Sequence, residues 1–256
     1  MTKDNFYCQY LLHHADNLLI LSQRTSEWCG HSPNVELDIA ITNIALDLLG
    51  QARNFYQLCC QQLNDNSTED SLAYLRQADE FLNSNLVEIP NKDFALTIAR
   101  LFFVSNYYFH HYQSVVENCN NEDLKALASK HLKETTYHVR WCKDWLLRFY
   151  FGTNESKQKL IDACNELTNH ATDFLSKFWF DADMKAAFNI DGDTILENTV
   201  QAYTNSFEQK EQVFLNLISK EGLTTQILEK TVHTAHLSIL LNEMQSVHRE
   251  HPNAIW

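Results

Sequence analysis

Glycine and proline are scarce in this chain, 5 and 3 among 256 residues. Few positions can form tight turns or break helices, so long uninterrupted helices are expected. No apolar run is long enough to cross a bilayer, which argues against a membrane partner. The opening Met1-Thr2-Lys3-Asp4-Asn5-Phe6-Tyr7 lacks the apolar stretch of a signal peptide, and a cytoplasmic protein is expected. The seven cysteines form no CxxC pair, and Cys59 and Cys60 are adjacent, a poor geometry for bonding each other. Reduced thiols are the simplest reading. Positive charge is also short. The 20 Lys and Arg against 33 Asp and Glu leave a net charge of −13, which repels phosphate and argues against nucleic acid as a partner.

The chain that remains is a series of helical periodicities. Helices are expected over about 6–27, 36–64, 70–83, 91–118 (capped by Asn91), 122–150, 155–180, 194–220 and 224–249. Leu86 to Asn91 is expected to be extended, because the residue before Pro90 is pushed out of helical conformation. No repeat or low-complexity linker interrupts the chain, so a single all-α domain over 1–256 is the economical assignment. Two stretches are unusually poor in charge. Ile39 to Ala52 contains only Asp47, and Phe94 to Tyr112 only Arg100 besides two histidines. Helices that are apolar nearly all round are internal, so both are expected inside a four-helix core with flanking helices. Three polar lines cross this apolar background: Asn43, Asp47, Gln51 and Asn54; Asn106, His110 and Gln113; His131, Glu134 and His138. They are expected to converge in the interior, where polar groups are paired.

The last line lies in a stripe of Leu124, Leu127, His131, Glu134, His138, Trp141 and Trp145, which alternates steps of three and four. Di-iron carboxylate bundles place Glu and His at i and i+3 on two helices, and a single Glu on each of the other two. Here the residue three after Glu134 is Tyr137. His138 comes one place later, about 100° around the helix.

Several blocks, in order from the first helix to the last, carry a family resemblance. They are Leu21-Ser22-Gln23-Arg24 with Glu27-Trp28-Cys29-Gly30-His31, the run Asn43 to Phe55, and Leu86 to Asn91 with Thr97-Ile98-Ala99-Arg100. Further on come Lys133-Glu134 with Tyr137-His138-Val139-Arg140, and His233-Thr234-Ala235-His236-Leu237 with Asn242-Glu243-Met244-Gln245. Together they resemble the C subunits of bacterial phenylacetyl-CoA 1,2-epoxidases. The resemblance implies a ferritin-like bundle within a multicomponent monooxygenase of aerobic phenylacetate catabolism. There a homologous A subunit holds the di-iron centre and epoxidises the aromatic ring, with electrons from an NADPH-dependent reductase. The C subunit pairs with the A subunit and supports it structurally.

The residues agree with a non-catalytic role. Asp47-x-x-Gly50 stands where a Glu-x-x-His is expected, and Gly50 has no side chain to give a metal. Tyr137 takes the histidine position. The first helix offers Asp16 and Glu27, but no acid lies between Phe94 and Val116. A full ligand set is missing, so Asp47, Gly50, Glu134, Tyr137 and His138 read as a degenerate di-iron outline. No catalytic, cofactor-binding or metal residue is assigned, and the di-iron centre is expected in the partner subunit. Glu134 is expected to share a contact with His138 or with Arg53, Arg100 or Arg140. The alternative is an autonomous di-iron ferritin-like oxidase or oxygenase using Glu134 and His138. His233, His236 and Glu243 are expected on one helix face, as a structural or interface motif. The aromatic stretches Tyr107–Tyr112 and Trp141–Phe151 are expected as subunit interface or as core.

Overall fold

The computed structural model describes residues 6–63, 65–206, 227–228, 232–251 and 254. The fold class is all-α, as expected. Among the described residues the one departure is a two-residue parallel pair, Lys177–Phe178 (β1) with Ile227–Leu228 (β2). The chain divides into two compact units, Met1–Pro90 with Lys230–Trp256, and Asn91–Glu229. Each is built around one pair of long antiparallel helices.

In the first unit, α1 (Phe6–Ser26) and α2 (Val35–Leu63) form the pair. Their contacts run in opposite directions along the two helices. Ser22 Oγ donates to Ala45 O at 2.8 Å, Tyr56 Oη donates to Asp16 Oδ1 at 2.6 Å, and Cys8 Sγ lies 3.8 Å from Cys59 O. The connection turns at Gly30, whose φ of +78° suits a residue without a Cβ. Asn34 Oδ1 then accepts from Leu37 N at 2.9 Å and starts α2. The expected third helix is shorter than its pattern. It ends as α3 (Glu69–Tyr74), capped by Thr68, and a 3-10 turn follows at Ala78–Glu80. The stretch expected to be extended holds a one-turn helix, α4 (Asn85–Glu88), and the chain becomes extended only at Ile89 before Pro90.

The second unit begins with α5 (Phe94–Asn118) and α6 (Glu122–Phe151). Phe94 meets Trp145 and Tyr112 meets His131, with ring centroids 6.5 and 6.0 Å apart, so this pair too is antiparallel. The cap of α5 is Asp93, two residues after the expected one, and its Oδ1 accepts from Leu96 N at 2.9 Å. Asn91 Oδ1 instead accepts from Thr97 Oγ1 at 2.9 Å and from Arg100. A glycine is required at 152, where a Cβ would come 2.7 Å from Arg148 O. The expected helix over 155–180 stops early, as α7 (Asn154–Thr168), and β1 and α8 (Asp181–Phe188) follow. Asn189 ends α8 in the left-handed conformation, φ 57°. The helix expected over 194–220 is α9 (Gly192–Ser206), and the rest of that expectation lies outside the described residues. Tyr203 anchors α9 by donating to Phe103 O at 2.6 Å.

The chain returns to the first unit as α10 (Ala235–Met244) and α11 (Ser246–Glu250), in place of one helix over 224–249. Thr234 caps α10, so the chain is not helical before it. None of the seven cysteines is in a disulfide. Among the described residues no helix is long and apolar enough to cross a membrane.

Candidate functional site

The apolar stripe of α6 is rotated by about one residue from its sequence pattern. Leu124, Leu127, His131 and His138 are buried as expected, but Thr135, Cys142 and Leu146 replace Glu134, Trp141 and Trp145 on the buried face. Trp141 and Trp145 flank that face half-buried, and α5 packs against α6. Glu134 therefore sits at a border, with its side chain 28% exposed, and its Oε2 is 2.8 Å from Nδ1 of buried His131. That partner, one turn back, lies outside the contacts expected for Glu134. Of the arginines considered, Arg53 bonds Glu69 at 3.1 Å, Arg100 bonds Asn91, and Arg140 is exposed.

Tyr137 points outward and is 49% exposed. Asp47 is half-buried on α2, and a Cβ placed on Gly50 would meet nothing within 4 Å. The α2 polar line is split, with Gln51 buried, Asp47 and Asn54 half-buried and Asn43 exposed. On α5, Asn106 Nδ2 donates to Phe102 O at 2.8 Å and Gln113 Nε2 donates to Glu117 Oε1 at 3.0 Å, both within their own helix. His110 is half-buried, and that burial lowers its pKa. Among the described residues, no three His, Cys, Asp or Glu side chains gather as a metal site requires.

The polar chemistry is concentrated in the first unit, where the sequence pattern offered Asp16 and His233 but not the partners they meet. Asp16 is fully buried in α1 and ion-paired with Arg76. It also accepts from Tyr56 Oη at 2.6 Å and from Leu82 N at 2.8 Å. Arg76 completes its bonding on the carbonyls of Leu72 and Glu80, at 2.6 and 3.0 Å, with its guanidinium 4.2 Å from the Phe81 ring centroid. Every strong donor and acceptor here meets a partner, which a buried ion pair needs in order to be tolerated. Next to it, His13 Nδ1 donates to Leu82 O at 2.8 Å. Burial lowers the His13 pKa to about 4, against the upward pull of the Leu82 carbonyl and Asp16, so this ring is neutral near neutral pH.

A second cluster joins α4 to the segment leading into α10. Glu88 is fully buried and accepts from Thr234 N at 2.9 Å, Thr234 Oγ1 at 2.7 Å and Asn83 Nδ2 at 3.0 Å. His233 Nδ1 bonds the same carboxylate, and its Nε2 is 2.8 Å from Phe81 O. A carbonyl only accepts, so Nε2 donates to Phe81 O, and the protonated ring can also donate from Nδ1 to Glu88. Burial opposes that charge. The Glu88 and Phe81 hydrogen bonds and the nearby Glu88 and Asp16 charges outweigh it, and the His233 pKa is raised. His233 thus precedes the helix and turns inward, while His236 and Glu243 are exposed on α10. The three do not share one helix face. The signal in the sequence was Glu88 itself, a lone acid inside Leu86-Val87-Glu88-Ile89.

The aromatic stretch Tyr107–Tyr112 is mostly core, with Tyr108 and Tyr112 buried, and Trp141, Trp145 and Phe149 on α6 are half-buried. Phe151, at the end of the second stretch, is exposed. Among the exposed large apolar residues, four lie on α2: Val35, Ile39, Leu46 and Leu49.

Comparison with known proteins agrees with the resemblance. The family described as phenylacetic acid catabolic protein matches residues 2–256. The C subunit of the 1,2-phenylacetyl-CoA epoxidase of Escherichia coli (strain K12) is 38% identical over 250 residues, which cover 96% of this chain and 98% of that protein.

Proposed function

The chain belongs to the phenylacetic acid catabolic protein family, and from that premise we propose that it is a non-catalytic structural subunit of an oxygenase that epoxidises the aromatic ring of phenylacetyl-CoA. It pairs with a homologous di-iron subunit in the cytoplasm, stabilises it, and leaves the chemistry and the NADPH-derived electrons to other components. The observation that carries this reading is the state of the di-iron outline. Gly50 offers no ligand, Tyr137 faces outward, and Glu134 is engaged by His131. A bundle whose inward carboxylates and imidazoles are tied to each other holds its own shape and has no ligand set to offer iron.

Iron content separates this reading from an autonomous oxidase. The purified chain, loaded anaerobically with Fe(II), is expected to retain no stoichiometric iron and to turn over no phenylacetyl-CoA by itself. Two irons per chain, or epoxide formed without another subunit, overturns the proposal. Glu134→Ala is expected to cost about 1 kcal/mol, the worth of one partly exposed hydrogen bond, and to leave turnover of the assembled complex intact. Loss of turnover in a fully assembled Glu134→Ala complex would give Glu134 a catalytic role.

A further inference from the structure

We propose that the outward face of α2 is a docking seam for a helix of another epoxidase subunit, and that Gly50 is the notch where the two helices come closest. This rests on the subunit reading above. Val35, Ile39, Thr42, Leu46, Leu49 and Arg53 follow one another in steps of four, three, four, three and four along α2. That spacing places them on one stripe. A different stripe, with Leu37, Ile41, Leu48 and Phe55, is the buried side of the helix. Val35, Ile39, Leu46 and Leu49 are 70%, 58%, 59% and 36% exposed. A solvated helix face carries polar residues at such positions. An apolar repeat averaging 3.5 residues is the pattern of a helix that receives the side chains of another helix.

Two local features support the seam. Gly50 lies one turn beyond Leu46, and the space over it is open, so no neighbour within the fold requires a glycine there. Glycine weakens a helix interior relative to alanine, and a close approach from outside gives it a use. Beyond Leu49, the stripe opens into a cleft of about 210 Å3 lined by Leu49, Ala52, Tyr56, Ala73 and Tyr74, with Arg53 at its side. This is space on the scale of one large apolar side chain.

Charge selects the occupant. Glu36 and Asp47 run along one border of the stripe, and exposed Asp70 lines the cleft. The single basic residue of α2, Arg53, is paired with Glu69 at 3.1 Å. A second copy of this chain would bring the same acidic border and another net charge of −13. The fitting partner is a helix of a different subunit, with an apolar seam of the same period and Lys or Arg along its flank.

The test uses the full chain and the other epoxidase subunits, purified separately, mixed, and followed by light scattering and sedimentation. The double variant Ile39→Glu/Leu46→Glu is expected to keep the helicity and melting temperature of the isolated chain, and to weaken association by about 100-fold or more. Gly50→Leu, which adds a side chain in open space, is expected to weaken it by about 10-fold, and decides the matter if the glutamates disturb folding. Tyr137→Glu, exposed on α6, is expected to leave association unchanged. If wild-type chain associates and the folded variants associate equally well, the seam is wrong and the subunit reading stands. If wild-type chain binds no other subunit, the subunit reading itself fails. A homodimer of the isolated chain that the double variant abolishes would overturn the proposed occupant.

Discussion

Between Ile39 and Ala52, α2 carries one charged residue, Asp47; between Phe94 and Tyr112, α5 carries one, Arg100. In α5 every residue from Phe94 to Asn106 is buried, because α6, α7 and α9 all pack on it. In α2 the same poverty of charge leaves Ile39, Leu46 and Leu49 exposed, because α1 and α3 pack on its other side. The sequence pattern places both helices inside, and only α5 is. Low charge in a helix states that its faces will be covered. It does not state whether the cover comes from the same chain.

Substitution by aspartate breaks or confirms this contrast with the largest effect. Val104→Asp places a charge at a fully buried position of α5 and is expected to cost more than about 4 kcal/mol. Leu46→Asp on α2 is expected to change stability of the isolated chain by no more than about 1 kcal/mol. Chemical denaturation of the two variants measures both. Similar losses would mean that the outward face of α2 is covered within the chain after all.

The covered side of α2 is held by the Asp16 cluster, to which it contributes Tyr56. Asp16→Ala leaves Arg76 buried without its carboxylate and is expected to cost about 3–5 kcal/mol. A loss below about 1 kcal/mol in the same denaturation experiment would show that Arg76 finds water or another acceptor.

Protonation tests the same unit from two directions. The His13 pKa is about 4 in the fold against an ordinary 6.5, so the unfolded chain takes up a proton first. Stability is intact above about pH 6.5 and falls toward pH 4, by on the order of 3 kcal/mol. His233 behaves oppositely. Its pKa is raised, so its contribution is full below the ordinary imidazole range and is lost as pH rises through the raised value. Unfolding free energies of wild type, His13→Asn and His233→Gln across pH should show the acid limb flattened in the first variant and the alkaline limb in the second. Unchanged limbs would remove these rings from the account.

The smallest effect sharpens the comparison most. Gly50→Ala is expected to stabilise the isolated chain by about 0.8–1 kcal/mol, since nothing in the fold meets the added Cβ. A destabilised variant would show that glycine is needed inside the chain, and α2 would then resemble α5 more closely than its exposure indicates.

The helix class, the four long helices and most of their ends were legible, because they depend on local signals. Scarce glycine and proline and the 3.6-residue periodicity act over one or two turns, although the one cap expected, Asn91, lies two residues before the actual cap, Asp93. The short pieces were not. Residues 70–83 and 155–180 have helical patterns, but tertiary packing ends them early at α3 and α7. The glycine at 50 and the tyrosine at 137 could be read from residue identity alone. The clusters around Asp16 and Glu88 could not, since their partners Arg76 and His233 lie 60 and 145 residues away.

By itself, then, the order of residues determined which long segments are helical, which stretches shun water, and that a glycine and a tyrosine stand at positions 50 and 137. These follow from backbone geometry and side-chain chemistry within a few turns. Only the tertiary structure decided that Glu134 bonds His131, that His233 turns inward to Glu88, and that one apolar face of α2 stays open. The last two depend on which distant surface comes within a few ångströms, and the first on which face α6 turns toward α5; burial and hydrogen bonding act only at that range.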